Sequence, residues 1–194
     1  MRNNIFYITI IALFSLNFNL SAQNLEINSN KIRYDTVEKV TYFEGNVNSK
    51  DDKGNKLFSE YAVYNKLDEL IETKGETRVV TSKNYEILSS NVVFDNKNKI
   101  IYSDYKTEIK DKDGNIILVD MFSYSTTTSI FFSKGNITIL DKNDNKYNFS
   151  EIYIDENKNK IIGSDIKAFL NQDGIEINSN NEPRFFANTM SSSR

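Results

Sequence analysis

The chain has no cysteine and no histidine, a single proline and seven glycines in 194 residues. Without cysteine there is no disulfide, no thiolate nucleophile and no thiolate metal ligand, even in a compartment that would permit them. Without histidine the usual general base and the commonest metal ligand are missing as well. Charge of one sign is also lacking: 24 Lys and Arg stand against 27 Asp and Glu. Both signs are spread evenly, and no basic stripe forms, which argues against nucleic acid as a partner. No glycine-rich phosphate loop, Gly-x-Ser-x-Gly elbow or metal-spaced cluster occurs, so neither catalytic machinery nor a cofactor is expected.

Long apolar runs are scarce too, and the one at the start has a reading of its own. Arg2 gives a positive beginning, Ile5 to Phe14 is apolar, and Leu20, Ser21 and Ala22 end in a small residue before polar Gln23 and Asn24. This predicts a secretory signal peptide over 1–22. The alternative is an uncleaved anchor, but Ser15, Asn17 and Asn19 interrupt the run, where a spanning helix wants about 20 nearly unbroken apolar residues. With no cysteine after the run, lipobox acylation is excluded. Cleavage removes Arg2 and so one positive charge from a chain of formal net charge −3. What remains suits one domain.

What is present is a repeat. Large apolar residues recur at Tyr34, Tyr64, Phe94, Tyr124 and Ile154, each thirty positions after the last. Around each anchor come a strand pattern, a polar turn, a second strand pattern and a second polar turn. The first turns are 35–39, 65–69, 95–99, 125–129 and 155–160; the second are 50–56, 82–86, 110–115, 141–146 and 171–174, all rich in Asn, Asp, Gly, Ser and Lys. Gly45, Gly75 and Gly135 share one register, with Tyr105 and Asp165 in the other units, which predicts a bend or bulge in mid-strand. Apolar and polar residues alternate between the turns, as in Ile101-Ser103-Tyr105-Thr107-Ile109 against Asp104, Lys106 and Glu108. The expectation is an all-β chain of about five two-strand repeats, roughly ten strands, folded as a solenoid or a rolled, open sandwich. Its uncovered terminal strands would be docking edges for like domains.

The motifs within the repeat carry a resemblance. The opening Ile27, Ser29, Ile32 and Tyr34, followed by Phe43, Gly45, Asn46 and Val47, is similar to the start of the OstA/LptA-like domain. Ser59, Ala62 and Tyr64 match its later small, aliphatic and aromatic pattern; Ser89, Val92 and Phe94 repeat it, and Gly135, Asn136 and Ile137 return to the Gly-Asn step. The likeness covers about residues 25–170. Within that family, Glu182, Pro183, Arg184, Phe185, Phe186, Ala187 and Asn188 look more like the exit from an LptD-type N-terminal domain than like the tail of an LptA-type bridge protein. The length suits the bridge protein. The division expected is 1–22 leader, 23–182 repeat domain, and 183–194 a tail that could stop short of a barrel.

The resemblance implies an open β-jelly roll, or β-taco, in the periplasm, associated with the outer membrane in the LptD case. Its partners would be lipopolysaccharide, held by its lipid A acyl chains, and other Lpt proteins joined head to tail through open strand edges. The groove lining would be Ile27, Tyr34, Val47, Tyr64, Val79, Phe94, Ile109, Tyr124, Ile137, Ile139, Ile154 and Phe169, with Lys106 outside. Two other readings stand beside it: a structural or adhesive solenoid with a fully packed interior, and a carbohydrate-active enzyme, which would need carboxylates gathered on one sheet face. Asp111-Lys112-Asp113-Gly114-Asn115 has the start of a calcium loop but lacks the later Glu and falls where a hairpin is due. It and Asp141 to Asn145 are read as turns. Asp51-Asp52 and Asp68-Glu69 are read as solvated charges in turns.

Overall fold

A computed structural model describes residues 25–169 and 184–193. The leader and the last of the expected second turns lie outside these residues. The described residues form one antiparallel sheet of sixteen strands with no helix. In chain order these are β1 (Glu26–Asn28), β2 (Lys31–Asp35), β3 (Val40–Lys50), β4 (Lys56–Asn65), β5 (Leu70–Thr73), β6 (Glu76–Val80), β7 (Glu86–Ser90), β8 (Val93–Asp95), β9 (Ile100–Ser103), β10 (Thr107–Lys110), β11 (Ile116–Val119), β12 (Phe122–Ser125), β13 (Ile130–Leu140), β14 (Lys146–Asp155), β15 (Lys160–Phe169) and β16 (Arg184–Ser193).

Pairing shows that the short strands are halves of long ones. β4 pairs with β5 through Ala62 to Asn65 and with β6 through Lys56 to Ser59, so β5 and β6 are one strand bent at Lys74 and Gly75. β1 and β2 pair with the two ends of β3 in the same way. β7 with β8, β9 with β10 and β11 with β12 complete the series. Two bent strands arise from each thirty-residue unit, and the sheet folds at the bends into two facing layers. The first layer holds β2, β5, β8, β9 and β12; the second holds β1, β6, β7, β10 and β11; β3, β4, β13, β14, β15 and β16 run through both.

The bends have local causes. On β3 the ladder slips between Glu44 and Val47, and on β13 between Lys134 and Ile137. Gly45 and Gly135 sit in those slips with φ of 73° and 113°, a region in which a side chain is strained. The inward alternation also steps at the bend. On β4 it runs Leu57, Ser59 and then Ala62, all buried, so the apolar side of both layers faces one interior. Small hydroxyls occupy the fold line and satisfy the polar groups the broken ladder leaves. Thr73 Oγ1 donates to the Val92 carbonyl at 3.1 Å and accepts from its N–H at 2.8 Å; Ser103 and Ser133 donate to the carbonyls of Ser90 and Met121, each at 2.7 Å.

Among the described residues, both sets of turns fall where the repeat places them. Each first turn closes on a residue in the left-handed region: Lys39, Glu69, Lys99, Ser129 and Asn159. The turns are stitched to one another, since the N–H groups of Asn96, Thr126 and Glu156 donate to the carbonyls of Glu69, Lys99 and Ser129 at 2.9 to 3.0 Å. In the second turns Asp51 Oδ1 accepts the backbone N–H groups of Lys53 and Asn55 at 3.0 and 2.8 Å, and its Oδ2 accepts from the Asn55 amide at 2.6 Å. Asp111 and Asp141 repeat this arrangement with Asn115 and Asn145. Asp51 is therefore not the solvated charge its neighbours in sequence suggest. It is 6% exposed, because its carboxylate replaces water with the donors of its own turn. The segment read as a tail is also part of the fold: β16 pairs with β15 from Arg184↔Phe169 to Ser193↔Lys160.

Candidate functional site

The interior between the layers is packed for most of its length. Of the residues expected to line a groove, Val47, Val79, Ile109 and Ile137 from the second layer and Phe94, Tyr124 and Ile154 from the first are at most 3% exposed. Ile27 and Tyr64 are partly buried against this core. Phe169 is half-buried at the end of β15. Tyr34 lies outside, 60% exposed, because β2 is a terminal half-strand at the edge of the sheet. Lys106 is exposed, as expected, and so is Tyr105, which falls in the bend between β9 and β10.

Space opens at the C-terminal end. A cleft of about 370 Å³ lies there between the layers, lined by Ile139, Tyr147, Phe149, Ile161 and Met190, with Asn115, Asp141, Lys142 and Asn143 also in its wall. Three hollows of about 460, 580 and 470 Å³ lie elsewhere. They are larger, but open side chains of mixed charge such as Lys106, Glu108, Glu60, Arg78 and Lys167 line them, and they are shallow depressions of the outer face. In the cleft, buried aromatic and aliphatic side chains from both layers meet solvent.

Its position follows from how the layers are offset. Where turn tips of the two layers touch, Lys53 Nζ donates to the Thr126 carbonyl at 2.9 Å and Thr81 Oγ1 donates to Glu156 Oε1 at 3.3 Å, contacts 73 and 75 residues apart. The second-layer turns that follow, at 111–115 and 141–145, come after the last first-layer tip among the described residues. Asn115 and Asp141 to Asn143 therefore overhang the open end, while Ile139, Phe149, Ile161 and Met190 lie below them.

The wall is amphipathic. Tyr147 presents its ring to the core and its hydroxyl to Asp141 Oδ2 at 3.2 Å. Burial works against ionisation of Asp141, yet the Asn145 amide, the N–H groups of Asn143 and Asn145 and the Tyr147 hydroxyl outweigh it and hold the carboxyl below its ordinary range. Burial, and then the Asp141 charge, raise Tyr147 above the usual phenol range. At neutral pH the mouth thus carries a fixed carboxylate, a neutral phenol, amides and the exposed Lys142, over an apolar floor. Such an arrangement is suited to an apolar tail with a polar head.

Only Ile139 among the expected lining residues borders this cleft. Tyr147, Phe149, Ile161 and Met190 were not singled out. A signal existed for two of them: Tyr147 continues the register Leu57, Ile87, Ile117, and Ile161 continues Ile71, Ile101, Phe131. Met190 had none, since it comes to the site through β16.

Likenesses are found among solved structures. The chain is similar to LptH of Pseudomonas aeruginosa, described as the LptA-homologous periplasmic component of the conserved lipopolysaccharide transport device. The two are 12% identical, the match covers 85% of this chain and 94% of that one, and the TM-score is 0.31. No family model and no curated protein matches the sequence. At that identity and TM-score the likeness carries no argument about function, which rests on the cleft.

Proposed function

We propose that this chain binds lipopolysaccharide by its lipid A acyl chains and passes it along a periplasmic bridge toward the outer membrane. The observation that carries the reading is the cleft, with its apolar floor of Ile139, Phe149, Ile161 and Met190 and its polar rim of Asp141 to Asn143. A volume of 370 Å³ lies within the range of small-ligand sites. Each buried methylene contributes about 0.8 kcal/mol, so ten of them offer about 8 kcal/mol before association costs of several kcal/mol are met. The hold is weak, as a conduit requires. The motif resemblance described above supports the same ligand.

Partners of the same transport system would join head to tail through the two sheet edges. At one, β2 presents Ile32 and Tyr34; at the other, β16 presents Phe185 and Phe186, all exposed. Edge strands with free backbone groups and apolar side chains are ready to accept a further strand.

One observation favours a second reading, a structural solenoid without a ligand. The interior is closed through the middle of the molecule, with Val79, Ile109 and Tyr124 at most 1% exposed. A photoreactive residue at Ile139, Phe149 or Phe94, with Lys106 as the outward control, decides between them in cells that make lipopolysaccharide. Adducts at Ile139 and Phe149 but not at Lys106 support the lipid reading. Their absence from every position in an exported, folded chain leaves the structural solenoid.

A further inference from the structure

Where turn tips of the two layers touch, one buried carboxyl is held from both layers. Glu156 opens the turn between β14 and β15 and is 6% exposed. Its oxygens are held by hydroxyls of different origin: Oε1 accepts from Thr81 of the second layer at 3.3 Å, and Oε2 accepts from Tyr124 of the first at 2.8 Å. Asn96 and Thr126, at the same register of earlier units, are buried as well and make the same backbone stitch, but neither side chain ionises. A side chain of the opposite layer reaches two of these positions, Lys53 at the Thr126 carbonyl and Thr81 at the Glu156 carboxyl, and only the second of these contacts is made to an ionisable group.

We propose that Glu156 is a proton-operated latch, whose neutral carboxyl keeps the seam shut and whose ionisation loosens the Thr81–Glu156–Tyr124 bridge so that the layers part beside the cleft. Strand β15, which leaves this turn, carries Ile161 of the cleft floor. The groups that face Glu156 are the Tyr124 phenol, the Thr81 hydroxyl and, as a more distant charge, Lys83, while the Ser129 hydroxyl meets the Tyr124 phenol. Two neutral donors and one cation that acts at a distance compensate a buried carboxylate poorly, so the charged form gains by moving toward water. Burial pushes the carboxyl up to about 7, against the hydrogen bonds from Tyr124 and Thr81 and the charge of Lys83. Burial, and then the Glu156 charge, likewise raise Tyr124 well above the usual phenol range, so it stays a donor throughout.

The purpose of the latch rests on the lipid reading: acyl chains that go deeper than the cleft need the layers to part where the interior is now closed. The latch itself is tested without lipid. The full chain has no cysteine, so Ser82→Cys with Lys158→Cys, both at exposed positions flanking the bridge, takes a spin-label pair whose distance is read by pulsed resonance from pH 5 to pH 9. The expected result is a narrow distribution at low pH that lengthens and broadens with a midpoint near 7. Glu156→Gln holds it narrow at every pH. Tyr124→Phe, which removes a donor to the carboxylate, moves the midpoint upward. A distribution unchanged across the range in folded protein, or the same transition in Glu156→Gln, overturns the proposal. Failure of lipid crosslinking at Ile139 and Phe149 would remove the ligand but leave these distances unaltered.

Discussion

Gly163 offers a sharp test of how the cleft is built. It lies buried on β15, opposite Ile152 on one side and Met190 on the other. A Cβ added there would lie 2.3 and 2.6 Å from the Cδ1 and Cε1 atoms of Phe149 and 3.3 Å from the Glu151 carbonyl oxygen. Carbon atoms prefer about 3.5–4.0 Å, so the ring has to retreat by about an ångström, and the empty side is the cleft that it lines. The backbone of Gly163 is outside the left-handed region, so the cost of Gly163→Ala is steric alone. Overpacking of this kind costs about 1–3 kcal/mol, which for a chain of this size lowers Tm by roughly 2–4 °C per kcal/mol. Phe149→Ala costs about 3–5 kcal/mol by itself, but it also removes the atoms with which the new methyl collides. The double variant should then be less destabilised than the sum of the two by about 1–3 kcal/mol. Urea titration followed by circular dichroism measures all four corners of the cycle. A Gly163→Ala chain as stable as the parent, or strict additivity with Phe149→Ala, would refute the packing argument.

The remaining expectations concern titration, turn and cleft. Because the folded Glu156 carboxyl titrates at about 7 and its ordinary value is 4.5, the neutral form is favoured in the fold; its contribution is complete below pH 4.5 and is lost as pH rises to 7. The loss amounts to roughly 3 kcal/mol, and Glu156→Gln should flatten the slope between those pH values in chemical denaturation; a slope that persists in this variant assigns it to another group. Asp111→Ala strips a buried acceptor from the N–H groups of Asp113 and Asn115, both 2.9 Å away, and from the Asn115 amide at 2.6 Å. It should cost about 1–3 kcal/mol, with Asp111→Asn milder, and an unchanged melting temperature would contradict the capping role. Ile161→Trp fills the cleft from its floor and should abolish acyl-chain crosslinking at Ile139 while the β-sheet spectrum stays intact; undiminished adducts would place the ligand elsewhere.

The thirty-residue register was legible in the sequence because it is written in local terms: an anchor, a turn residue able to adopt positive φ, an alternating strand. Turn positions, strand number, the bulges at Gly45 and Gly135 and the burial of Val79, Phe94, Ile109 and Ile154 all follow from patterns a few residues long. The two-layer form needs one thing more, the step in alternation between Ser59 and Ala62, which a short window shows as noise and the sheet shows as a fold line. Contacts between layers were out of reach, because Lys53 with Thr126 and Thr81 with Glu156 are 73 and 75 residues apart and follow the offset of the layers, not the period of the repeat. That offset, and no residue type, decides where the interior is closed and where the cleft begins. It also decides that Ile139 borders the cleft while Val79 is core. Exposure of Tyr34, the same kind of residue as buried Tyr124, depends on having a neighbouring strand to cover it. β16 joins the sheet through backbone hydrogen bonds, which its side chains do not announce. Sequence alone thus determined a chain of bent, paired strands with one apolar side, since strand and turn propensities act over neighbours. Tertiary structure alone decided the seam, the buried Glu156 within it and the cleft at its end, since these depend on which turns meet when the sheet folds over.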